Sequence, residues 1–237
     1  MPRFFIEGEI GESFVLDGEN GRHGVKSLRL RPGERVALCD GKGFDYVCRV
    51  TGVSGETLLL ETEEKRPSVG EPSLRVTLYQ GLPKGDKMDL IIQKAVELGC
   101  SQVVPVETEF CIAKLNGREE KKLERWRKIA LEAAKQSGRG MVPQVLPPLK
   151  FSEAAEQCGD GGILFYEGGG RPVRELVKGR GGLSVFVGPE GGFSPKEIAL
   201  AKEKGLSVAT LGPRILRTET APLAALAVLM YESGNLE

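Results

Sequence analysis

The sequence predicts an α/β protein in which a mostly parallel sheet with flanking helices follows a smaller all-β domain. Three observations carry this reading. Residues 1 to 72 read as short strands punctuated by turns; from Leu74 onward strands alternate with helical patterns. In the segment Gly182–Val228, a buried-looking strand twice leads into a Gly/Pro-rich turn bearing charged residues, and a helix follows. That is how α/β proteins build ligand sites at the C-terminal ends of strands.

In the first domain the strands are expected at Phe4–Ile10, Ser13–Leu16, Arg35–Cys39, Phe44–Val50 and Thr57–Glu61, with Asp40-Gly-Lys-Gly43 as a hairpin signal. Strands this short and close suggest a small barrel or sandwich. The segment Arg22–Arg35 reads as a basic loop, with five basic residues against Glu34 alone, and is the better candidate for contacting nucleic-acid phosphates. Glu63–Pro72 is polar, Pro-bearing and aperiodic, and the domain boundary is placed there, between residues 72 and 73.

The second domain begins with a strand at Leu74–Tyr79. Asp86 is expected to cap a helix whose apolar face carries Met88, Ile91, Ile92, Ala95 and Leu98, and Gly99 ends it. A strand at Gln102–Val106 and a long helix from Gly117 to Ser137 follow. Between Lys114 and Lys150 ten basic residues face four acidic ones, which a solvated helix face also explains. A short helix near Ser152–Gln157 and a strand at Ile163–Tyr166 lead to the two loop units.

The first unit reads Val187-Gly-Pro-Glu-Gly-Gly-Phe-Ser194. Ser194, Pro195 and Glu197 fit N-cap, N1 and N3 of a helix, with a capping box. Gly188, Gly191 and Gly192 free the backbone for positive φ and for close approach of a flat ligand. The loop matches neither the phosphate-loop nor the dinucleotide pattern. The second unit, Leu211-Gly-Pro-Arg-Ile-Leu-Arg-Thr-Glu-Thr-Ala221, places Arg214, Arg217 and Glu219 between the strand Ser207–Leu211 and a last helix capped by Thr218 or Thr220. Phe193 is expected in the core beside its helix start, although stacking on a nucleobase is an open alternative.

Composition narrows the classes. With 237 residues, 40% hydrophobic, and 33 basic against 33 acidic side chains, an ordinary soluble protein of one large domain or two modest ones is expected, and no whole-molecule field announces a partner. No apolar run approaches the roughly 18 residues of a membrane span, and Met1–Ile10 does not read as a secretory signal, so the expected location is cytoplasmic. Five cysteines without a CxxC pair, and a single histidine, His23, argue against a metal site or a disulfide framework.

These motifs bear a resemblance. The two loop units, with Met1-Pro-Arg-Phe-Phe5, Gln80-Gly-Leu-Pro-Lys-Gly-Asp-Lys87 and its continuation to Gly99, and Arg125-Trp-Arg-Lys-Ile-Ala-Leu-Glu-Ala-Ala-Lys-Gln-Ser137, resemble the RsmE-type 16S rRNA uridine-N3 methyltransferases of the SPOUT superfamily. The resemblance implies a PUA-like β-barrel that binds RNA over 1–72. It implies a SPOUT-type, trefoil-knotted domain binding S-adenosyl-L-methionine over 73–237, a homodimer, and 16S rRNA of the small ribosomal subunit as partner. His23 lies in a segment that departs from the family at Arg22 and Ser27, and it is read as structural.

With that cofactor, three Gly-rich turns after parallel strands, Glu167–Arg171, Gly188–Gly192 and Leu211–Arg217, would surround it. Tyr166, Val187, Leu211, Ile215 and Leu216 would supply apolar walls, and Glu167, Gly188, Gly191, Gly192 and Gly212 would line it. Uracil N3 must lose a proton before it attacks, so Glu219 and Glu190 are candidate bases, while Arg217 stabilises developing charge. Two blander roles stay open: Glu219 as a helix cap and Arg214 as a partner of a carboxylate. Arg3, Arg22, Arg29, Arg31 and Arg214 are the candidate RNA contacts. Lys84, Lys87 and Lys94 either extend that surface or are solvated charges. The rival functions are a SPOUT enzyme acting on tRNA or a ribose 2′-hydroxyl, and an RNA-binding protein without catalysis.

Overall fold

The computed structural model describes residues 1–236 apart from 114, 116, 159, 160 and 178, so Lys114 of the basic segment lies outside the described residues. Two compact units emerge: Met1–Glu71 with Ala134–Val142, and Pro72–Ala133 with Pro143–Glu237.

The first unit holds β1 (Arg3–Phe5), β2 (Ser13–Leu16), helix α1 (Gly18–Arg22) running into a π-helical turn at His23–Ser27, then β3 (Arg35–Cys39), β4 (Phe44–Ser54) and β5 (Thr57–Pro67). They form one sheet in the order β1-β3-β4-β5-β2. Its core gathers Phe4, Leu16, Val36, Leu38, Val50 and Leu58. The Asp40 hairpin is present, with Asp40 Oδ1 accepting from the N–H groups of Lys42 at 2.8 Å and Phe44 at 3.1 Å.

Three expectations fail here, each for a local reason. The first strand stops at Phe5 rather than Ile10, and Gly8 soon after turns to φ +107°. The segment Arg22–Arg35 is not all loop, since helix and π-turn occupy 18–27. A Cβ at Gly21 would stand 2.5 Å from the Leu16 carbonyl oxygen, and one at Gly24 would stand 2.7 Å from Leu58 Cδ1, so tertiary packing overrides the poor helix propensity of glycine. The aperiodic stretch after Glu61 continues as strand to Pro67, because β-bulges between Val47 and Cys48 and between Val50 and Gly52 shift its register on β4. Within the same unit, Arg139 Nε and Nη2 reach the two carboxylate oxygens of Glu71 at 2.9 and 2.8 Å, which ties the 134–142 segment down.

The second unit contains β6 (Arg75–Gly81), α2 (Lys87–Glu97), β7 (Gln102–Glu107), α3 (Glu119–Ser137, its last residues belonging with the first unit), β8 (Gln144–Val145), β9 (Leu149–Lys150), α4 (Phe151–Gln157) and β10 (Ile163–Phe165). After these come β11 (Arg171–Pro172), α5 (Arg174–Val177), β12 (Gly182–Val187), α6 (Pro195–Glu203), β13 (Ser207–Thr210) and α7 (Ala221–Glu232). The sheet runs β11-β13-β10-β12-β6-β7-β8, with β9 also on β7, and its described pairings are all parallel. Tyr79 stacks on Phe186 with ring centroids 4.4 Å apart, and both sit in a core with Phe151, Leu164 and Phe193. Phe193 is therefore core, 4% exposed.

Among the described residues no helix is long and apolar enough to cross a membrane, and no His/Cys/Asp/Glu group has the makings of a metal site. Cys39, Cys48 and Cys100 are buried and in no disulfide.

Candidate active site

Strands β13, β10 and β12 lie side by side, and their registers pair Phe165 with Val187 on one flank and with Ala209 on the other. All three therefore end at one level, and the chain leaves each into a loop there. Between these loops opens a cavity of about 380 Å³. Phe165, Tyr166 and Glu167 line it from the first loop; Val187, Gly188, Pro189, Glu190 and Gly192 from the second; Thr210, Leu211, Gly212, Arg214, Ile215, Leu216, Arg217, Thr218 and Ala221 from the third.

The second loop is held at both ends. At its far end Ser194 Oγ accepts from Glu197 N–H at 3.2 Å while the Glu197 carboxylate accepts from Ser194 N–H at 2.8 Å, the capping box expected for α6. The other Glu197 oxygen accepts from Glu109 N–H at 2.9 Å. At its near end a Cβ on Gly81 would lie 2.4 Å from the Pro189 ring, so only glycine lets β6 pass this close to the loop. Gly192 adopts φ +68°, and a Cβ there would meet Glu167 Oε1 at 2.6 Å.

The third loop is tied to the second in two places. Thr218 Oγ1 donates to the Gly188 carbonyl at 2.9 Å and accepts from Gln80 Nε2 at 3.3 Å. The fully buried Gln80 also donates to the Gly81 carbonyl at 3.0 Å, and its own Oε1 is left without a partner. Further out, Lys87 Nζ stands 3.0 Å from Glu190 Oε1 and 3.2 Å from Glu219 Oε2. The second approach is an ion pair without hydrogen-bond alignment, so Glu219 Oε2 remains a buried acceptor with capacity left.

This cluster sets the charge states. For Glu190 burial acts upward, but hydrogen bonds from Lys87 and from backbone N–H groups, including that of Lys84, outweigh it and hold the carboxyl below its usual range. Glu219 is held low first by its own backbone N–H, against burial, with Lys87 and Arg217 helping. The Lys87 ammonium is pushed up first by Glu190, to which it donates a hydrogen bond, and then by the ion pair with Glu219. Both candidate bases are thus anions beside a fixed cation.

The expected site residues assemble with few exceptions. Gly191 falls outside the cavity lining, because it packs on Phe110, whose Cβ would be 2.7 Å from a Cβ at 191. Glu219 stands just outside the lining, on Lys87. It does not cap α7: Thr220 holds the N-cap position without a side-chain bond, and Thr218 is turned to Gly188 instead. Asp86 likewise precedes α2 without capping it. Arg214 lines the cavity. Of the arginines in the first unit, Arg29 and Arg31 are exposed, Arg22 pairs with Glu56 at 2.8 Å, and Arg3 turns inward to the buried Asp45 at 2.6 Å. This ion pair holds Arg3 within the first unit.

Two family models match the chain: an RNA methyltransferase domain over residues 70–230 and an RNA methyltransferase PUA domain over residues 16–63. The ribosomal RNA small subunit methyltransferase E of Bacillus subtilis (strain 168) is 37% identical over 257 residues, covering 100% of this chain and 98% of that protein. The chain belongs to the ribosomal RNA small subunit methyltransferase E family. Its member from Aquifex aeolicus (strain VF5) is 34% identical over 236 residues, covering 97% of this chain and 99% of that protein. The crystal structure of the Neisseria gonorrhoeae member bound to S-adenosyl methionine superimposes with a TM-score of 0.89 at 36% identity, covering 98% of this chain and 97% of that chain. A Legionella pneumophila structure in complex with the bound cofactor SAM gives a TM-score of 0.85 at 29% identity, covering 97% and 96% of the two chains.

Sequence reasoning missed Gln80, Lys87 and Thr218 as parts of this methyltransferase site. A polar residue closing the apolar strand Val76–Tyr79 was a usable signal for Gln80. Lys87 carries no local signal, since its partner Glu190 lies 103 residues away.

Proposed function

We propose that the chain transfers the methyl group of S-adenosyl-L-methionine to N3 of one uridine in the 16S rRNA of the small ribosomal subunit. It works in the cytoplasm as a homodimer whose second unit, over 73–237, is a SPOUT-type domain with a trefoil knot. The observation that carries the reading is the cavity where the loops after three adjacent parallel strands converge.

The residues present fit the cofactor. About 380 Å³ is within the range of small-molecule sites, the Gly188–Gly192 turn brings main chain to the wall where a Cβ would collide, and Tyr166, Val187, Leu211, Ile215 and Leu216 provide apolar surface. Glu167 and Glu190 supply negative charge suited to a cationic ligand. When bound, S-adenosyl-L-methionine supplies an activated methyl on a sulfonium, so the chain needs neither a covalent nucleophile nor a metal.

The chain's own work is positioning and charge. The three loops hold the cofactor and exclude water. Arg217, with Arg214 beside it, stabilises the negative charge that builds on a uracil oxygen as N3 loses its proton. The proton passes to the Glu190/Glu219 pair. Because both carboxyls are held low, they are weak bases, and the greater share of the rate falls to the arginines. Arg29 and Arg31 of the PUA unit contact phosphates and give little sequence information.

The test is transfer of label from S-adenosyl-L-methionine to small ribosomal subunits, deproteinised 16S RNA and tRNA in parallel. Label in small-subunit RNA supports the reading. Label in tRNA replaces the proposed substrate, and cofactor binding without transfer replaces the proposed catalysis.

A further inference from the structure

Resting on this reading of the site, we propose that Lys87 is a positioning residue for methyl transfer: with Gln80 it makes the segment from β6 to α2 a two-point clamp that fixes the second and third cofactor loops against each other. The motif Gln80-Gly-Leu-Pro-Lys-Gly-Asp-Lys87 contributes no residue to the cavity wall, yet it touches both loops that form it. On the inner side Gln80 Nε2 reaches Thr218 Oγ1 at 3.3 Å and the Gly188 carbonyl at 3.5 Å. On the outer side Lys84 N–H donates to the Glu190 carboxylate at 3.1 Å, and Lys87 Nζ bridges Glu190 and Glu219 at 3.0 and 3.2 Å. Gly81, between the two points, allows the backbones to pass at a distance no other residue tolerates.

Electrostatics makes Lys87 the part of the clamp that matters. Glu190 and Glu219 are both anionic and each about a quarter exposed, at 26% and 27%. Without the ammonium between them the two carboxylates repel, and the loops that carry them separate. With it, one cation sets the spacing of both carboxylates and, through the short link from Glu219 to Arg217, of the guanidinium expected to hold the uracil. Lys87 touches neither cofactor nor substrate in this arrangement. It acts through Glu190 and Glu219.

The test compares Lys87→Met and Lys87→Arg with the unaltered chain. Three readouts are used: S-adenosyl-L-methionine binding by calorimetry, hydrogen exchange over residues 188–193 and 211–220 without ligand, and kcat and KM for methyl transfer. Lys87→Met is expected to weaken cofactor binding on the order of tenfold and to lower kcat at saturating cofactor and RNA. Exchange should rise in both loops and not in α6 or α7, with an unchanged thermal midpoint, and Lys87→Arg should recover most of the loss. Equal exchange in both loops and equal binding in Lys87→Met would overturn the clamp. If the unaltered chain binds no S-adenosyl-L-methionine, the proposed function fails, while the exchange comparison still decides the clamp.

Discussion

The Thr218 hydroxyl donates a 2.9 Å hydrogen bond to the carbonyl of Gly188, joining the loop after β13 to the loop after β12 across 30 residues of chain. Thr218 is 5% exposed, so its partner has little water to fall back on. Thr218→Val keeps the shape and removes the hydroxyl, which leaves the Gly188 carbonyl only the 3.5 Å approach of Gln80 Nε2. The expected loss of stability is about 1–3 kcal/mol, read from denaturant unfolding, with a weaker hold on cofactor. A neutral result would mean that the Thr218 hydroxyl does not help to join the loops.

Arg217 lines the cavity and is the guanidinium expected beside the uracil anion. Arg217→Ala should lower kcat by roughly 10²–10³, the scale for removing one donor to a developing anion, while cofactor binding changes less. Arg217→Lys should recover part of the rate, since it keeps the charge and loses the planar fork. Methyl transfer at the unaltered rate in Arg217→Ala would put the reacting base elsewhere.

Gly81 tests the close approach of β6 to the second loop. A Cβ there meets the Pro189 ring at 2.4 Å and its nitrogen at 2.5 Å, both rigid groups. Gly81→Ala should therefore push the Gly188–Gly192 turn outward, costing about 1–3 kcal/mol of stability. Calorimetry should show a loss of affinity for S-adenosyl-L-methionine larger than that of an alanine at exposed Gly181, where no neighbour stands within 4 Å.

The Lys87 cluster also fixes a pH window. Glu190 and Glu219 have lowered carboxyl pKa values, so their contribution is complete above the unfolded value of about 4.3 and is lost as pH falls through the folded one. Lys87 is raised, so its contribution is complete below the unfolded value of about 10.4 and is lost as pH rises through the folded one. Hydrogen exchange in residues 188–193 and 211–220, corrected for intrinsic rate, should stay flat from about pH 5 to 9 and rise outside it. In Lys87→Met the alkaline rise should vanish.

Much of this architecture was legible because local signals agreed. Ser194, Pro195 and Glu197 announced α6, and their capping box is present as written in the sequence. The alternation of strand and helix after Leu74 announced the parallel sheet. The illegible parts depend on tertiary structure. Gly21 in helix α1 and Gly24 in the π-helical turn are explained only by packing against Leu16 and Leu58, and β5 hides its period behind two bulges in its partner. Within the site, the loops were read from glycine and charge spacing, and most cavity residues once the family resemblance had implied the cofactor. Lys87 and Thr218 were not, because a lysine at a helix start and a threonine before a helix each have an ordinary local use. Their actual partners are set by where distant loops meet.

Methyl transfer is tested most directly at its product. Small ribosomal subunits are treated with the protein and S-adenosyl-L-methionine, their 16S RNA is digested to nucleosides, and 3-methyluridine is quantified with Arg217→Ala as control. The proposed reaction yields 3-methyluridine at one uridine per subunit with the unaltered chain and almost none with Arg217→Ala. Methyl on a ribose, on another base nitrogen, or no product from a chain that still binds the cofactor would contradict it.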